Sequence, residues 1–209
     1  LYHLKFFDKN NITLEKDFIR PYRLDDFIGQ EEVKKQLKVF IESCKIQRKI
    51  LDHTILSGPP GLGKTTLATI IANELGSNIK ITSAPILEKK GDIIGLLTSL
   101  KEGDMLFIDE IHRLTPALEE ILYSAMEDFK VDVIVGGGAN RKARSAKSIR
   151  LDLNRFTLIG ATTRIGMLSS PLISRFGIIL NLDFYDEESL KKIILRSANI
   201  LNINITEEG

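Results

Sequence analysis

The stretch Gly58-Pro59-Pro60-Gly61-Leu62-Gly63-Lys64-Thr65 constrains this chain more than any other. An apolar run, His53–Ser57, leads into it, and Thr65–Leu75 continues from it as a helix closed by Gly76. The pattern G-x-x-x-x-G-K-[ST] is therefore complete and stands in the context it requires, strand before and helix after. The physical reason lies in the spacing. Glycines let the backbone turn tightly enough for several N–H groups to converge on one anion, and the helix adds the positive end of its dipole. Gly58, Gly61 and Gly63 would shape that cradle. Lys64 would reach the outer phosphates of a nucleoside triphosphate, and Thr65 would offer its hydroxyl to Mg²⁺. The cofactors this predicts are ATP or ADP with Mg²⁺.

A strand–loop–helix unit of this kind needs neighbours. Further short apolar runs occur at Ile79–Thr82, Met105–Asp109, Phe156–Thr162 and Ile178–Leu182. Helical spacing appears in Val33, Leu37, Phe40, Ile41 and Cys44, and again in Leu118, Ile121, Leu122, Ala125 and Met126 after a Thr115 cap and Pro116. Alternating strands and helices predict an α/β fold with a parallel five-stranded sheet covered on both faces. Two segments depart from that rhythm. Val131–Val135 and Ser148–Leu153 alternate polar and apolar residues around a Gly-rich basic loop, Gly136–Lys147, and predict an inserted β-hairpin at about 130–153. From Asp186 a helix carries Leu190, Ile193, Ile194 and Leu201 on one face, the expected beginning of a second, helical lid domain over 185–209. The main domain would then occupy 18–184, with a flexible segment at 1–17.

Basic and acidic residues nearly cancel, 29 against 28, so overall charge gives no mandate for nucleic acid or a membrane surface. Cys44 is the single cysteine, which forbids an intrachain disulfide and fits a buried apolar role in a reducing compartment. No apolar run is long enough to span a membrane, and the N-terminus lacks the apolar core of a signal peptide. A cytoplasmic protein is expected. The start at Leu1 and the stop at Gly209 suggest a segment of something longer.

The second half of a hydrolytic site follows the Lys64 loop by 45 positions. Met105-Leu-Phe-Ile-Asp109-Glu110 delivers two acids at the C-terminal edge of a buried strand, where open parallel sheets collect ligands. Asp109 would hold Mg²⁺, mainly through water, and Glu110 would polarise the attacking water. Thr162 and Thr163, at the end of another strand, are both candidates for sensing the γ-phosphate, and either can equally be a strand-end cap. Arg175, presented after a turn in Ser170-Pro-Leu-Ile-Ser-Arg175, is either a solvated surface arginine or an arginine finger for a neighbouring subunit. His112 beside the acids is a proton relay or a structural residue, the latter being favoured. No His/Cys cluster has metal-ligand spacing.

Taken together, Arg20-Pro21, Phe27-Ile-Gly-Gln30, Leu51-Asp-His53, GPPGLGKTTLA, LFIDEIHRL, Met126-Glu-Asp128, Ser148-Ile-Arg-Leu-Asp152, FTLIGATTR and Arg175-Phe-Gly resemble the bacterial RuvB family. Those proteins are AAA+ P-loop ATPases, hexameric motors of Holliday-junction branch migration that work with the junction-binding protein RuvA. The resemblance runs from Phe18 to Gly209. It implies that Ile19 and Arg20 flank the adenine, that Gly61, Lys64, Thr65 and Thr66 take the phosphates and Mg²⁺, that Glu127, Asp128 and Phe129 lie by the nucleotide pocket, with the subunit boundary as one placement, and that Tyr185 lines the pocket near the lid. It also implies that Arg175 is the finger, that Thr162 or Thr163 is the first sensor, and that the hairpin docks onto RuvA. A second-sensor arginine and a DNA-contacting winged-helix domain would lie beyond Gly209. Ile173 stands where the family often has another arginine. The hairpin loop, longer than the family's usual one, carries Arg141, Lys142, Arg144 and Lys147, which can touch DNA phosphates or simply be solvated. The implied function is an ATP-driven motor in recombination and DNA repair; an ATP-controlled assembly switch of the clamp-loader or initiator type is the alternative.

Overall fold

The computed structural model describes residues 19–135 and 147–206. The loop cations Arg141, Lys142 and Arg144 and the N-terminal segment 1–17 lie outside the described residues, as does residue 18.

Five parallel strands form the central sheet: β1 (Thr54–Ser57), β2 (Ile79–Ser83), β3 (Met105–Asp109), β6 (Thr157–Thr162) and β7 (Ile178–Asn181), in the order β2-β3-β6-β1-β7. Every residue of β1 and β6 is buried, as expected of strands covered on both faces. The two edge strands are only half covered. Alternation along the inner strands sends neighbouring side chains into two separate cores. Leu56, Phe107 and Ile159 pack with α1 (Glu31–Gln47) and α2 (Lys64–Leu75) on one face. Ile55, Leu106 and Ile108 pack with α3 (Lys90–Thr98) and α4 (Pro116–Glu127) on the other. Each fully buried Leu, Ile or Phe contributes about 1.5–3 kcal/mol.

The predicted strands shift by one residue at several ends, because Thr54 and Thr157 rather than His53 and Phe156 begin their ladders. Helix α3 has no counterpart in the sequence reading. Gly91 and Gly95 interrupt its short apolar run, and tertiary burial of Ile93 and Leu97 sustains it. Asp92 starts that helix by accepting from the Lys89 and Glu88 N–H groups at 2.8 and 3.1 Å. A second correction concerns Thr115. It holds the cap position of α4, yet its side chain makes no capping bond. Pro116 already organises the first turn, and the Thr115 carbonyl accepts from Leu118 and Glu119 at 2.9 and 3.0 Å.

The hairpin forms as predicted, with β4 (Lys130–Val135) antiparallel to β5 (Lys147–Asp152) and an Arg150–Asp132 pair across it at 3.0 Å. Helix α6 (Glu187–Ile200) starts on Asp186, whose carboxylate accepts from the Ser189 N–H at 2.7 Å. Between them a short α5 (Ser170–Ile173) precedes β7. Gln30 ties the start of α1 to the β7–α6 connection, its amide donating to the Asp183 carbonyl while its oxygen accepts from the Asp183 N–H.

His53, uninformative in the sequence, pins three elements together. Its Nδ1 accepts from the Leu158 N–H at 2.9 Å, so its Nε2–H is left to donate to the Met126 carbonyl at 3.1 Å. The ring also packs against Phe156 and Phe129, at centroid distances of 5.5 and 6.3 Å. Burial pushes the imidazole below its ordinary value of 6.5, because both nitrogens are already used by the neutral form. The unfolded chain therefore takes up a proton that the folded chain resists. Stability is full above about pH 6.5 and declines as pH falls from there through the folded-state value. Urea unfolding at about pH 7.5 and pH 5.5 should show this loss, and His53→Leu should flatten it. Equal acid sensitivity in both proteins would place its origin elsewhere.

Candidate nucleotide site

The C-terminal ends of β1, β3 and β6 open on one rim of the sheet, and the chain turns there in three different ways. After β1 it turns through the glycine loop. Gly58, at φ +147°, lies so close to the Leu182 carbonyl that a Cβ would sit 2.5 Å from its oxygen, and its N–H donates to Thr162 at 3.1 Å. This position accepts only glycine. At Gly61, φ +81°, a Cβ would meet nothing within 4 Å, so the left-handed backbone rather than crowding calls for glycine. That open side faces the cavity.

Lys64 begins α2 with its side chain turned back along the loop. Its ammonium donates to the Gly58 and Pro59 carbonyls at 2.9 and 2.7 Å. Only 8% of the residue is exposed, and burial lowers its pKa while Asp109 opposes that shift. The charge is thus stored at the loop, against carbonyl oxygens that an incoming phosphate could replace as partners.

After β3 the chain turns at Glu110, held at φ +50°. Asp109 stabilises the turn by accepting from the Glu110 N–H at 2.9 Å. The Glu110 carboxylate accepts from Arg113 at 2.8 Å, which holds it below the usual carboxylate range. After β6 the two threonines part. Thr162 is 1% exposed, and its hydroxyl accepts from the Arg164 N–H at 2.9 Å and lies 3.0 Å from His112 Nδ1. Thr163 faces the cavity. His112 accordingly ties the acidic turn to β6.

A cavity of about 340 Å³ is lined by Arg20, Pro60, Gly61, Gly63, Lys64, Thr65, Thr66, Asp109, Glu110 and Thr163. A second, of about 220 Å³, shares Arg20, Gly61, Gly63 and Thr66 with the first and extends along Ile19, Phe27, Ile28 and Tyr185 to Ile193, Arg196 and Ser197 of α6. Cations, hydroxyls and carboxylates line one; apolar side chains dominate the other. The pair suits a molecule with a phosphate end and a flat apolar end. Tyr185 closes the second cavity by donating to the Leu62 carbonyl at 3.1 Å, and Arg196 donates to the Ile19 carbonyl at 2.6 Å.

Glu127, Asp128, Phe129 and Arg175 do not line these cavities. Phe129 packs edge-on against Phe156 at 5.9 Å, and Glu127 and Arg175 line a separate cavity with Met126 and Ser174. Sequence reasoning missed Arg196 and Arg113. Arg196 lies three positions after Ile193, on the same helical face, and that spacing was the available signal. Arg113 follows Glu110 by three positions on a turn that only the structure defines.

No group of three or more His, Cys, Asp or Glu side chains that could hold a metal exists among the described residues. Thr65 and Asp109, both lining the first cavity, supply one hydroxyl and one carboxylate, a donor set that fits a Mg²⁺ ion keeping water and phosphate ligands.

The two threonines should respond differently to loss of the hydroxyl. Thr162→Val should cost about 1–3 kcal/mol, since it strands the Arg164 N–H and His112. Thr163→Val, at the cavity surface, should leave denaturant midpoints within about 0.5 kcal/mol of the parent. Comparable losses for both would mean that the buried bonds of Thr162 are not as described.

The chain is similar to known proteins over most of its length. The family model for the Holliday junction DNA helicase RuvB P-loop domain matches residues 19–182. The RuvB subunit of the Holliday junction branch migration complex from Kosmotoga olearia is 60% identical over 191 residues, covering 91% of this chain and 54% of the relative. Its Thermotoga maritima counterpart is 59% identical over 190 residues, covering 91% and 55%. A solved structure of the Thermotoga maritima RuvB Holliday junction branch migration motor superposes with a TM-score of 0.78 at 54% identity, covering 90% of this chain and 57% of that one. The chain spans about half the length of the curated relatives it matches. On its glycine loop, its sheet order and these matches, the chain belongs to the RuvB family of P-loop proteins.

Proposed function

We propose that this chain carries the ATP-hydrolysing part of a DNA motor that drives Holliday-junction branch migration in recombination and repair. The observation that carries the reading is the pair of joined cavities on one sheet rim, with Lys64, Thr65, Asp109, Glu110 and Thr163 around the more polar one. Adenine would lie along Ile19, Arg20 and Tyr185. The phosphates would take the N–H groups of Gly61, Leu62 and Gly63 together with Lys64 and Thr66, while Gly58, whose N–H already donates to the Thr162 carbonyl, would shape the loop. Binding would draw the Lys64 ammonium from the loop carbonyls onto the β- and γ-phosphates. Mg²⁺, held by Thr65 and by Asp109 through water, would neutralise charge developing between those phosphates.

Glu110 is the proposed general base. The Arg113 pair that depresses its pKa also weakens it as a base, so Glu110 would accept a proton from water only after it leaves Arg113. Thr163, rather than the buried Thr162, is the proposed sensor of the γ-phosphate. The separate cavity of Arg175 and Glu127 supports action across a subunit boundary: Arg175 would serve the nucleotide of a neighbour in a homo-oligomeric ring, a hexamer by family resemblance. Glu127, Asp128 and Phe129 would shape that boundary. The β4–β5 hairpin would dock a RuvA-type partner, with Ile149 and Leu151 exposed by 40% and 38% for apolar contact. Residues 18–184 would form the ATPase domain and 185–209 the start of a helical lid. Leu190, Ile194 and Leu195 of α6, each more than 40% exposed, would be covered by the rest of that lid. Among the described residues no helix is long and apolar enough to cross a membrane, and the proposed place of action is the cytoplasm.

The test is ATP turnover by the complete protein on synthetic four-way junctions, with and without a RuvA-type partner. Stimulation by both, with strand exchange, is expected. Glu110→Gln should lower kcat by about 10²–10⁴-fold while ATP binding persists. Hydrolysis indifferent to junction and partner would refute the branch-migration motor and favour an assembly switch.

A further inference from the structure

Arg175 is held more firmly than a solvated arginine needs to be. Its guanidinium lies 4.7 Å from the centre of the Tyr123 ring, and its Nε donates to the Tyr123 carbonyl at 3.3 Å. One terminal nitrogen donates to the Pro171 carbonyl at 2.7 Å, the other to Glu127 at 2.8 Å. The four contacts differ in how easily they yield. Glu127 is 64% exposed on its side chain, so that ion pair is a water-screened surface pair and the easiest of the four contacts to break. The ring and the two carbonyls belong to α4 and α5, which a part-buried polar triangle ties together.

Glu119, only 7% exposed, forms the base of that triangle. One of its carboxylate oxygens accepts from the Tyr123 hydroxyl at 2.8 Å and from the Ser169 hydroxyl at 2.5 Å. Tyr123 and Ser169 themselves stand 2.8 Å apart. Ser169 caps α5 through the Leu172 N–H, and Arg175 follows that helix within two residues of its end. Fixing Glu119 therefore fixes the ring under the guanidinium and the helix whose Pro171 carbonyl receives it. Burial raises the Tyr123 phenol, which stays protonated and donating across the neutral range.

We propose that Tyr123, anchored by Glu119 and Ser169, is a positioning residue for Arg175: a rigid platform that keeps the guanidinium aimed while its outer nitrogen exchanges Glu127 for an anionic phosphate group. The geometry separates a part that stays from a part that moves. Stacking on a ring face is retained as the side chain pivots, and the rim carboxylate is the partner surrendered most cheaply. This rests on the reading of Arg175 as an arginine that acts on a neighbouring subunit's nucleotide.

The experiment measures kcat, KM and nucleotide affinity in the complete, assembled protein for Tyr123→Ala, Tyr123→Phe, Arg175→Ala and the Tyr123→Ala/Arg175→Ala pair. Tyr123→Ala should lower kcat about tenfold or more with KM within about twofold, since a displaced group loses transition-state contact without losing ground-state binding. Tyr123→Phe keeps the ring but loses its anchor, and its turnover should fall between those of Tyr123→Ala and the parent. The double variant should be little worse than Arg175→Ala alone, because both changes remove one interaction. Should Tyr123→Ala fold poorly, Tyr123→Leu removes the π face at similar bulk and answers the same question. Parent-like kcat in Tyr123→Ala beside an inactive Arg175→Ala would overturn the platform and leave the finger standing. Parent-like turnover in Arg175→Ala would sink the finger reading itself. Additive losses in the double variant, or a fall in nucleotide affinity matching the fall in kcat, would make Tyr123 merely structural and reject the proposal.

Discussion

Strand β1 is paired on both sides, with β6 and β7, and all four of its residues are buried. The glycine loop begins where that pairing ends. Gly58 still donates to Thr162 across the β6 boundary, and the Leu182 N–H donates to the Ser57 carbonyl at 2.7 Å on the other side. The last backbone groups of β1 are therefore locked before the loop turns away, which is how a short glycine-rich segment can hold one shape. Helix α2 is held in turn by Leu67, Ile70 and Ile71, fully buried in the same core as Leu56 and Phe107. The rim of the sheet inherits its geometry from this pairing, and the cavities inherit theirs from the rim.

Each charged candidate already has a partner within the chain. On the rim Lys64 rests on loop carbonyls and Glu110 on Arg113; away from it, in the separate cavity, Arg175 rests on Glu127. No buried side-chain nitrogen or oxygen among the described residues lacks a hydrogen-bond partner. An unpaired buried charge would cost several kcal/mol, whereas exchanging one partner for another costs far less. A site that must bind and release a polyanion gains from this arrangement. The exposed pairs yield most readily, and they are the ones whose acidic or basic member has a proposed task elsewhere.

Threonine 162 and histidine 112 illustrate where reading residues one by one fails. His112 follows the acidic pair, Thr162 ends a core strand, and both have polar groups suited to a reaction. The structure spends them on each other, and so leaves Thr163 as the hydroxyl at the cavity. Thr162 is the last residue of β6 and is buried, whereas Thr163 stands one residue past it and lines the cavity, so where the strand stops decides which of the two meets the ligand.

Much was legible in the chain itself. The glycine loop, the acids after β3 and the alternation of strands and helices follow from local rules, because phosphate cradles and buried parallel strands demand particular residues at particular spacings. The hairpin followed from its two-residue period. Helix α3 was not legible, since its glycines weaken local propensity and only burial of Ile93 and Leu97 sustains it. Nor was the role of His53, whose two nitrogens meet partners 73 and 105 positions away. Arg196 reaches Ile19 across 177 positions to wall the apolar cavity. Contacts at such separations leave no periodic trace, because they depend on how completed elements pack rather than on the residues between them. The sequence by itself determined which chemistry the rim could hold; the tertiary structure decided which of the candidate side chains reach it.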